Sequence, residues 1–371
     1  MATQLAYQKD FAFNAICPYY TMFPLEFPMH LLRKHKALAP TVYDPFCGRG
    51  TTIYAARKLG LRAYGRDTSP IAVAIAQAKL ASAELGNVTA LAARLVARTP
   101  KNVPASPFFK RAFSHRTLLQ ICSLREGLLD EKQVTNESAI LRAAALGCLH
   151  GPLSERDASP SYFSNQMPRT FATKPDYSLK YWGDRDLLPP NASVIDVLTK
   201  KLKRITDLNT DSPSDIRNVR CLDARKAASY GRTEGPIVVV TSPPYYGMRT
   251  YVQDQWLRMW FLGGDEEINY ENHNQLCHSG RDRFIMDLAK VWRNIGKRVR
   301  DEAHLYVRFG SIPSARSDAR KILKSSLEEA GYWTLISVRN AHTSHFGKRQ
   351  ADYMGSESDP STEFDFHAVI N

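Results

Sequence analysis

The sequence predicts an α/β fold: a mixed, mostly parallel sheet with helices on both faces and a large inserted region. Three observations carry that expectation. Within residues 41–67 a short apolar strand, a glycine turn, a helix, a second strand and an acidic residue follow one another. Further on, the β-branched run Pro236-Ile237-Val238-Val239-Val240 lies between Gly235 and a Pro-Pro pair, the pattern of a strand buried on both faces of a parallel sheet. Between these two segments, from about Asn87 to Asp215, the α/β rhythm is lost, and afterwards it resumes.

Taken in order, residues 1–16 have little periodicity and read as a loose lead-in. In Tyr19 to Leu32, prolines precede a short apolar helix that fades at Lys34-His35-Lys36. Thr41-Val42-Tyr43-Asp44 is the first strand, and Pro45-Phe46-Cys47-Gly48-Arg49-Gly50-Thr51-Thr52 is a glycine turn opening a helix from Ile53 to Leu59. Glycines there let backbone approach a ligand, and the helix N-terminus offers unpaired amides beside it. The next strand, Arg62 to Gly65, ends in Arg66-Asp67, and an acid at that place is the usual partner of ribose hydroxyls. Asp44, at the start of the turn, would repel a pyrophosphate, so a dinucleotide is disfavoured and a cationic or amine-bearing ligand is favoured. A helix from Ile71 to about Leu85 follows.

The interrupted stretch contains an apolar helix, Ala139 to Leu149, and a polar, aromatic segment, Pro152 to Asp184, read as a lid or recognition module. Its Tyr162, Asn165 and Arg169 offer groups that can address base edges. Lys200-Lys201-Leu202-Lys203-Arg204 ends a further helix. The sheet resumes with Val219 to Asp223 and then Pro236 to Ser242. An amphipathic helix spans 281–300, packed by its apolar side, before a strand at Ala303 to Gly310, a helix at Asp318 to Ala330, and strands at Trp333 to Arg339 and Glu363 to Ile370. The loop between the last two carries Lys348 and Arg349.

At the end of the buried strand stands Thr241-Ser242-Pro243-Pro244-Tyr245. The proline pair fixes φ at two consecutive residues and so orients the adjacent carbonyls, and an aromatic ring follows at once. That combination suits a planar group that needs acceptors at its edge and a stacking surface on its face.

A chain of 371 residues has room for about two domains and can bury a sizeable core. Its net charge of +13 favours an anionic partner. The six cysteines are scattered, with no Cys-x-x-Cys pair, which argues against a zinc site and for free thiols in a reducing cytoplasm; no metal is expected. With no apolar run approaching ~18 residues and no signal-peptide pattern at the N-terminus, the expectation is a soluble cytoplasmic protein with no membrane contact.

Together these segments resemble the amino-methylating DNA methyltransferases, which use S-adenosylmethionine to modify exocyclic amines of cytosine or adenine. Asp44 to Thr52 is similar to the family's cofactor loop, usually Asp-Pro-Phe-x-Gly-Ser-Gly-Thr-Thr, with Arg49 in place of the serine. Thr21-x-Phe23-Pro24 resembles the segment that closes over the methionine moiety, commonly Thr-x-Lys-Pro, and Thr241 to Tyr245 resembles the catalytic motif.

The resemblance implies a Rossmann-like methyltransferase fold divided as 1–86 for cofactor binding, 87–215 for target recognition and 216–371 for catalysis. It implies S-adenosylmethionine bound by Thr21, Phe23, Pro24, Asp44, Pro45, Phe46, Gly48, Gly50, Thr51, Thr52, Asp67 and, near the adenine, Asp223. It further implies catalysis by Ser242, Pro243, Pro244 and Tyr245, and double-stranded DNA held by Tyr162, Asn165, Arg169, Arg249, Lys348 and Arg349. Ser242 and the Pro243 carbonyl would accept from the amine while Tyr245 stacks on a flipped base. Serine at the first motif position favours cytosine N4 over adenine N6. The alternatives are an adenine-N6 enzyme, an RNA guanine or adenine methyltransferase, and a non-catalytic DNA-binding subunit. A cognate restriction endonuclease is a candidate partner, and a nucleoid-associated location follows from the DNA substrate.

Overall fold

The computed structural model describes residues 12–20, 23–152, 160–167, 174–205, 208, 214–231, 235–248, 254–268, 275–278, 280–312, 317–341 and 362–370. The chain divides into two compact units. One comprises Tyr19–Ala76, Ser212–Thr250 and His273–Asn371, the other Met1–Pro18, Gln77–Asp211 and Tyr251–Asn272.

The first unit holds a seven-stranded sheet, Rossmann-like in class. Its strands are β1 (Thr41–Asp44), β2 (Ala63–Asp67), β3 (Val219–Cys221), β4 (Ile237–Thr241), β5 (Ala303–Gly310), β6 (Trp333–Asn340) and β7 (Glu363–Ile370). They lie in the order β3-β2-β1-β4-β5-β7-β6. The β1–β2, β1–β4, β2–β3 and β4–β5 pairs are parallel, whereas β7 runs antiparallel to both β5 and β6. β1 and β4 are buried at every residue, as their β-branched runs require of central strands. Because β1, β2 and β3 step outward one way and β4 and β5 the other, the topological switch lies between β1 and β4, where open sheets leave a crevice at the carboxyl ends.

One core cluster packs Val239, Leu305, Val307, Phe309 and Phe366 of the sheet with Phe284, Leu288, Val291 and Trp292 of helix Arg281–Gly296 and Ile322, Leu323 and Leu327 of helix Ala319–Ala330. The amphipathic helix Arg281–Gly296 thus packs by its apolar side, as its sequence pattern predicts. Trp292 Nε1 donates to Ser326 Oγ at 3.0 Å, so this ring is buried without leaving its polar atom unpaired. Several boundaries differ from the sequence reading, among them the helix expected over 281–300, which ends at Gly296, and that expected over Ala139–Leu149, which spans Asn136–Cys148. The helix after β2 stops at Ala78, and β3 stops at Cys221 because Asp223 folds into a turn, accepting the Arg225 amide at 2.9 Å.

The second unit is helical: Leu85–Val96, Pro107–Ala112, His115–Leu129, Asn136–Cys148, Pro175–Gly183, Val194–Leu202 and Trp256–Phe261. Caps start several of these helices. Ser114 accepts from the Thr117 amide, Ser193 from the Asp196 amide, and Thr135 and Ser138 form a reciprocal capping box. Its centre is aromatic, with Phe108 and Phe109 4.7 Å from Trp256 and Trp260 respectively. The insertion is therefore a packed helical body with its own core, not a polar lid. Nor are the described residues before Pro18 a loose lead-in: Phe13, Ile16 and Cys17 are buried, and Lys79 Nζ donates to Asn14 Oδ1 at 2.7 Å. These residues and 254–261 join the helical unit, which takes Met1–Pro18, Gln77–Asp211 and Tyr251–Asn272 rather than 87–215.

Candidate active site

Asp44 ends β1 directly over the switch point. Its side chain is buried, and Oδ1 accepts from Thr241 Oγ1 at 2.6 Å and from the Phe46 amide at 3.2 Å. Burial pushes the carboxyl up to about 7, against the opposing pull of the Thr241 and Thr52 hydroxyls and the Phe46 amide. A carboxyl held at that balance gains from a cation placed beside it.

The turn after β1 is shaped by two glycines in the left-handed region, Gly48 at φ 47° and Gly50 at φ 77°. Gly50 caps the helix Thr51–Lys58, whose first amides face the turn. Around the position of a Cβ on Gly48 there is open space to 4 Å, so the backbone itself forms the wall there. Gly65, by contrast, is closed off: a Cβ would come within 3.1 Å of Cys47 Sγ, which seats the turn hard on β2.

Asp67, the last residue of β2, accepts the Gly48 amide on Oδ2 at 2.9 Å and the Ser69 amide on Oδ1 at 2.8 Å. Burial raises its pKa while these amides pull it back. Each oxygen retains a lone pair, so the acid can brace the turn and still accept from a hydroxyl. Pro45 is buried under the turn, and Phe46 packs edge-on to Trp292 at 6.2 Å.

The proline motif leaves β4 at Thr241, one strand away from Asp44. Thr52 Oγ1 donates to the Val240 carbonyl at 3.0 Å, a second tie between the two strand ends. Tyr245 folds back over β5, its ring edge-on to Phe309 at 5.5 Å, and its hydroxyl donates to Glu363 Oε1 at 2.9 Å. Burial, first, and Glu363 hold the phenol well above its ordinary pKa. Tyr246 packs edge-on to Phe284 at 5.4 Å. Glu363 escaped the sequence reading because nothing local marks an acid that meets its partner 118 residues away.

The remaining expected residues fall into four groups. Phe23 lies edge-on to Phe27 at 5.3 Å, and Arg308 covers the Phe27 ring at 3.9 Å while forming a bidentate pair with Asp365. Pro24 is exposed, and its carbonyl accepts the Phe27 amide at 3.1 Å. Asp223 is engaged by Arg225 through both oxygens, and Arg225 reaches on to Asp287 at 2.8 Å; burial alone would raise the Asp223 pKa, but Arg225 brings it below the usual carboxylate value. Asn165, only 1 % exposed, spends its amide on the Arg111 and Leu187 carbonyls and its Oδ1 on the Gln166 amide. It is a brace inside the helical unit, which corrects its assignment to base edges. Tyr162 lies against Gly151, where a Cβ would meet its ring at 2.2 Å. Thr21, Arg169, Arg249, Lys348 and Arg349 lie outside the described residues.

Among the described residues no group of histidine, cysteine and acidic side chains could hold a metal ion, and no helix is long and apolar enough to cross a membrane. The donor set fits S-adenosylmethionine on this structure's own terms: open glycine backbone, a carboxylate with acceptor capacity to spare, and a buried carboxyl suited to a cation.

No curated protein sequence matches the chain. Among solved structures, the rRNA methyltransferase aviRa from Streptomyces viridochromogenes is similar at 11 % identity and a TM-score of 0.30, over 95 % of this chain and 87 % of that one, a likeness too remote to bear on function. Residues 7–78, which include β1, the glycine turn and β2, match the N6/N4 methyltransferase family model, described as DNA methylase, and support the resemblance to the amino-methylating DNA methyltransferases.

Proposed function

We propose that this chain transfers a methyl group from S-adenosylmethionine to the exocyclic N4 of cytosine in double-stranded DNA, acting directly on a flipped base. The observation that carries the reading is the juncture of β1 and β4. There the Asp44–Gly50 turn and Ser242-Pro243-Pro244-Tyr245, nearly 200 residues apart in sequence, are tied by the 2.6 Å Thr241–Asp44 bond. The match to the DNA methylase family over residues 7–78 supports the same reading.

In this reading Asp67 accepts the ribose hydroxyls, the Gly48 to Thr52 backbone walls the site, and Asp44 offsets the positive charge of the ligand. Phe23 and Pro24, with Thr21, cover its methionine end. Asp223 shapes the adenine end through Arg225 rather than by contact. Bound S-adenosylmethionine supplies an electrophilic methyl group. The chain's own residues align the acceptor: Ser242 Oγ and the Pro243 carbonyl accept hydrogen bonds from the amine, pulling charge onto nitrogen, and Pro244 holds that carbonyl's direction. Tyr245 supplies the aromatic surface for the base. Arg169, Arg249, Lys348 and Arg349 are proposed to contact DNA, and a restriction endonuclease is a candidate partner.

The test is incubation of the purified chain with S-adenosylmethionine and unmethylated duplex DNA or RNA, followed by digestion and mass analysis of nucleosides. N4-methylcytosine from DNA is expected. N6-methyladenine would reassign the base, and methylation confined to RNA would overturn the DNA reading.

A further inference from the structure

The two faces of β5 differ in chemistry. Leu305, Val307 and Phe309 enter the apolar core, while His304, Tyr306 and Arg308 stand on the opposite side, where helix Glu26–His35 crosses them. Arg308 covers the Phe27 ring at 3.9 Å near the start of this helix, and at its last residue His35 Nε2 lies 2.9 Å from Tyr306 Oη. The helix therefore runs antiparallel to β5 and is pinned at both ends. The guanidinium at one end stays charged at any pH the fold meets, whereas His35 at the other belongs to a group of three imidazoles.

The His35 and His304 ring centroids are 4.2 Å apart, His304 Nδ1 lies 3.0 Å from His367 Nε2, and the His367 ring stacks on Tyr306 at 4.4 Å. On its other side His304 Nε2 lies 2.8 Å from Glu302 Oε1. These contacts fix a proton count. A carboxylate only accepts, so His304 Nε2 carries a proton, and in the neutral cluster His304 Nδ1 accepts from His367 Nε2. One added proton reverses that bond: His304 Nδ1 donates, His367 accepts and keeps its own proton on Nδ1, and the new charge rests beside Glu302. A second added proton has no such place. It either sets two N–H groups against each other across 3.0 Å or charges the His35 ring over an already charged His304.

The surroundings resist it as well. Burial first, and then His304, hold His35 below the ordinary histidine value and push His367 down to about 4. Lys34 on the helix adds to both effects and Arg339 on β6 to that at His367, while Glu302 opposes at His35. Tyr306 stays a neutral phenol, its pKa raised by burial and then by Glu302.

We propose that His35, His304 and His367 form a pH-sensitive latch: it holds the C-terminal end of helix Glu26–His35 on the sheet while the cluster carries at most one added proton, and a second lets that end go. Released imidazoles bind protons more readily than packed ones, so the latch is closed above about pH 6.5 and opens as pH falls toward about 4. The Arg308–Phe27 end stays in place. The latch does not depend on what the chain methylates.

Amide hydrogen exchange followed by NMR reads it without substrate or cofactor. Between pH 7 and pH 5, with intrinsic exchange divided out, protection of the Leu32 to His35 amides should fall roughly tenfold, while amides of helix Arg281–Gly296 keep theirs. The double variant His35→Gln/His367→Gln, whose side-chain amides can donate or accept at both contacts but bind no proton, should show no such fall. Histidine ring signals, assigned by their loss in the single variants, give a second reading that stands even if the double variant does not fold. In the wild type His35 and His367 should titrate below the ordinary histidine range, His35 in step with the loss of protection. An equal loss of protection in the double variant and the wild type, or ordinary titration of both rings with the helix end still protected, would overturn the latch.

Discussion

Thr241 Oγ1 donates to Asp44 Oδ1 across 2.6 Å in a fully buried contact between the carboxyl ends of two central strands. That contact holds a carboxyl whose pKa is about 7 in place of an ordinary 3.8. The linkage has a definite sign. Because the folded state binds the proton more tightly, Asp44's contribution favours folding at acid pH and is lost as pH rises from about 4 through about 7, by roughly 3–5 kcal/mol. Asp44→Asn removes this dependence. Urea unfolding should therefore find the variant more stable than wild type at pH 8 by about 1–3 kcal/mol, with the advantage gone at pH 5; equal stability at both pH values would contradict the buried-carboxyl account.

The same carboxyl should couple cofactor affinity to pH. A cationic ligand favours the ionised form, so binding near pH 6 must expel the Asp44 proton, and affinity for S-adenosylmethionine should rise from pH 5.5 to pH 8. Calorimetry in two buffers of different ionisation enthalpy should detect proton release in the wild type and none in Asp44→Asn, whose weaker affinity should be flat across that range.

Asp67 braces the glycine turn through the Gly48 amide, and in the proposed reading its remaining lone pairs accept from the ribose hydroxyls. Asp67→Ala should weaken S-adenosylmethionine binding by about 1.5–3 kcal/mol, roughly 10- to 150-fold in Kd. The unliganded protein should also lose amide-exchange protection at Gly48 and Ser69. Unchanged affinity would take Asp67 out of the site.

Arg225 neutralises two mostly buried acids, Asp223 and Asp287. Its replacement by alanine leaves both without their guanidinium, and chemical unfolding should register a loss of about 2–4 kcal/mol. Asp223→Asn is expected to lower stability by about 1–2 kcal/mol while changing cofactor Kd less than threefold. A large affinity change with intact stability would mean that Asp223 contacts the adenine directly.

The parts of this molecule that were legible in its sequence are those with local signals. The β-branched run before Pro243, the glycine turn after Asp44 and the closing strand from Glu363 to Ile370 each carry their pattern within a few residues. The helical unit was harder to read because its core is assembled from Phe13, Phe108, Trp182 and Trp256, no two of which share one periodic stretch. Asn165 shows the opposite failure. Its residue type suits base edges, but a buried backbone with carbonyls to satisfy took its amide first. Asp223 likewise sits where expected, yet the side chain two residues on decides what it is free to bind.

The antiparallel insertion of β7 between β5 and β6 also sets a schedule. Among the described residues β6 pairs only with β7, so on the ribosome β6 emerges with no strand to pair with and its ladder must wait for residues 363–370. The sheet and the acid at Tyr245 are thus completed together and last. A nascent chain can assemble its glycine turn well before it can finish the β5–β7–β6 edge, and a message cut short before residue 363 yields a protein lacking both the β7 ladder and the acid at Tyr245.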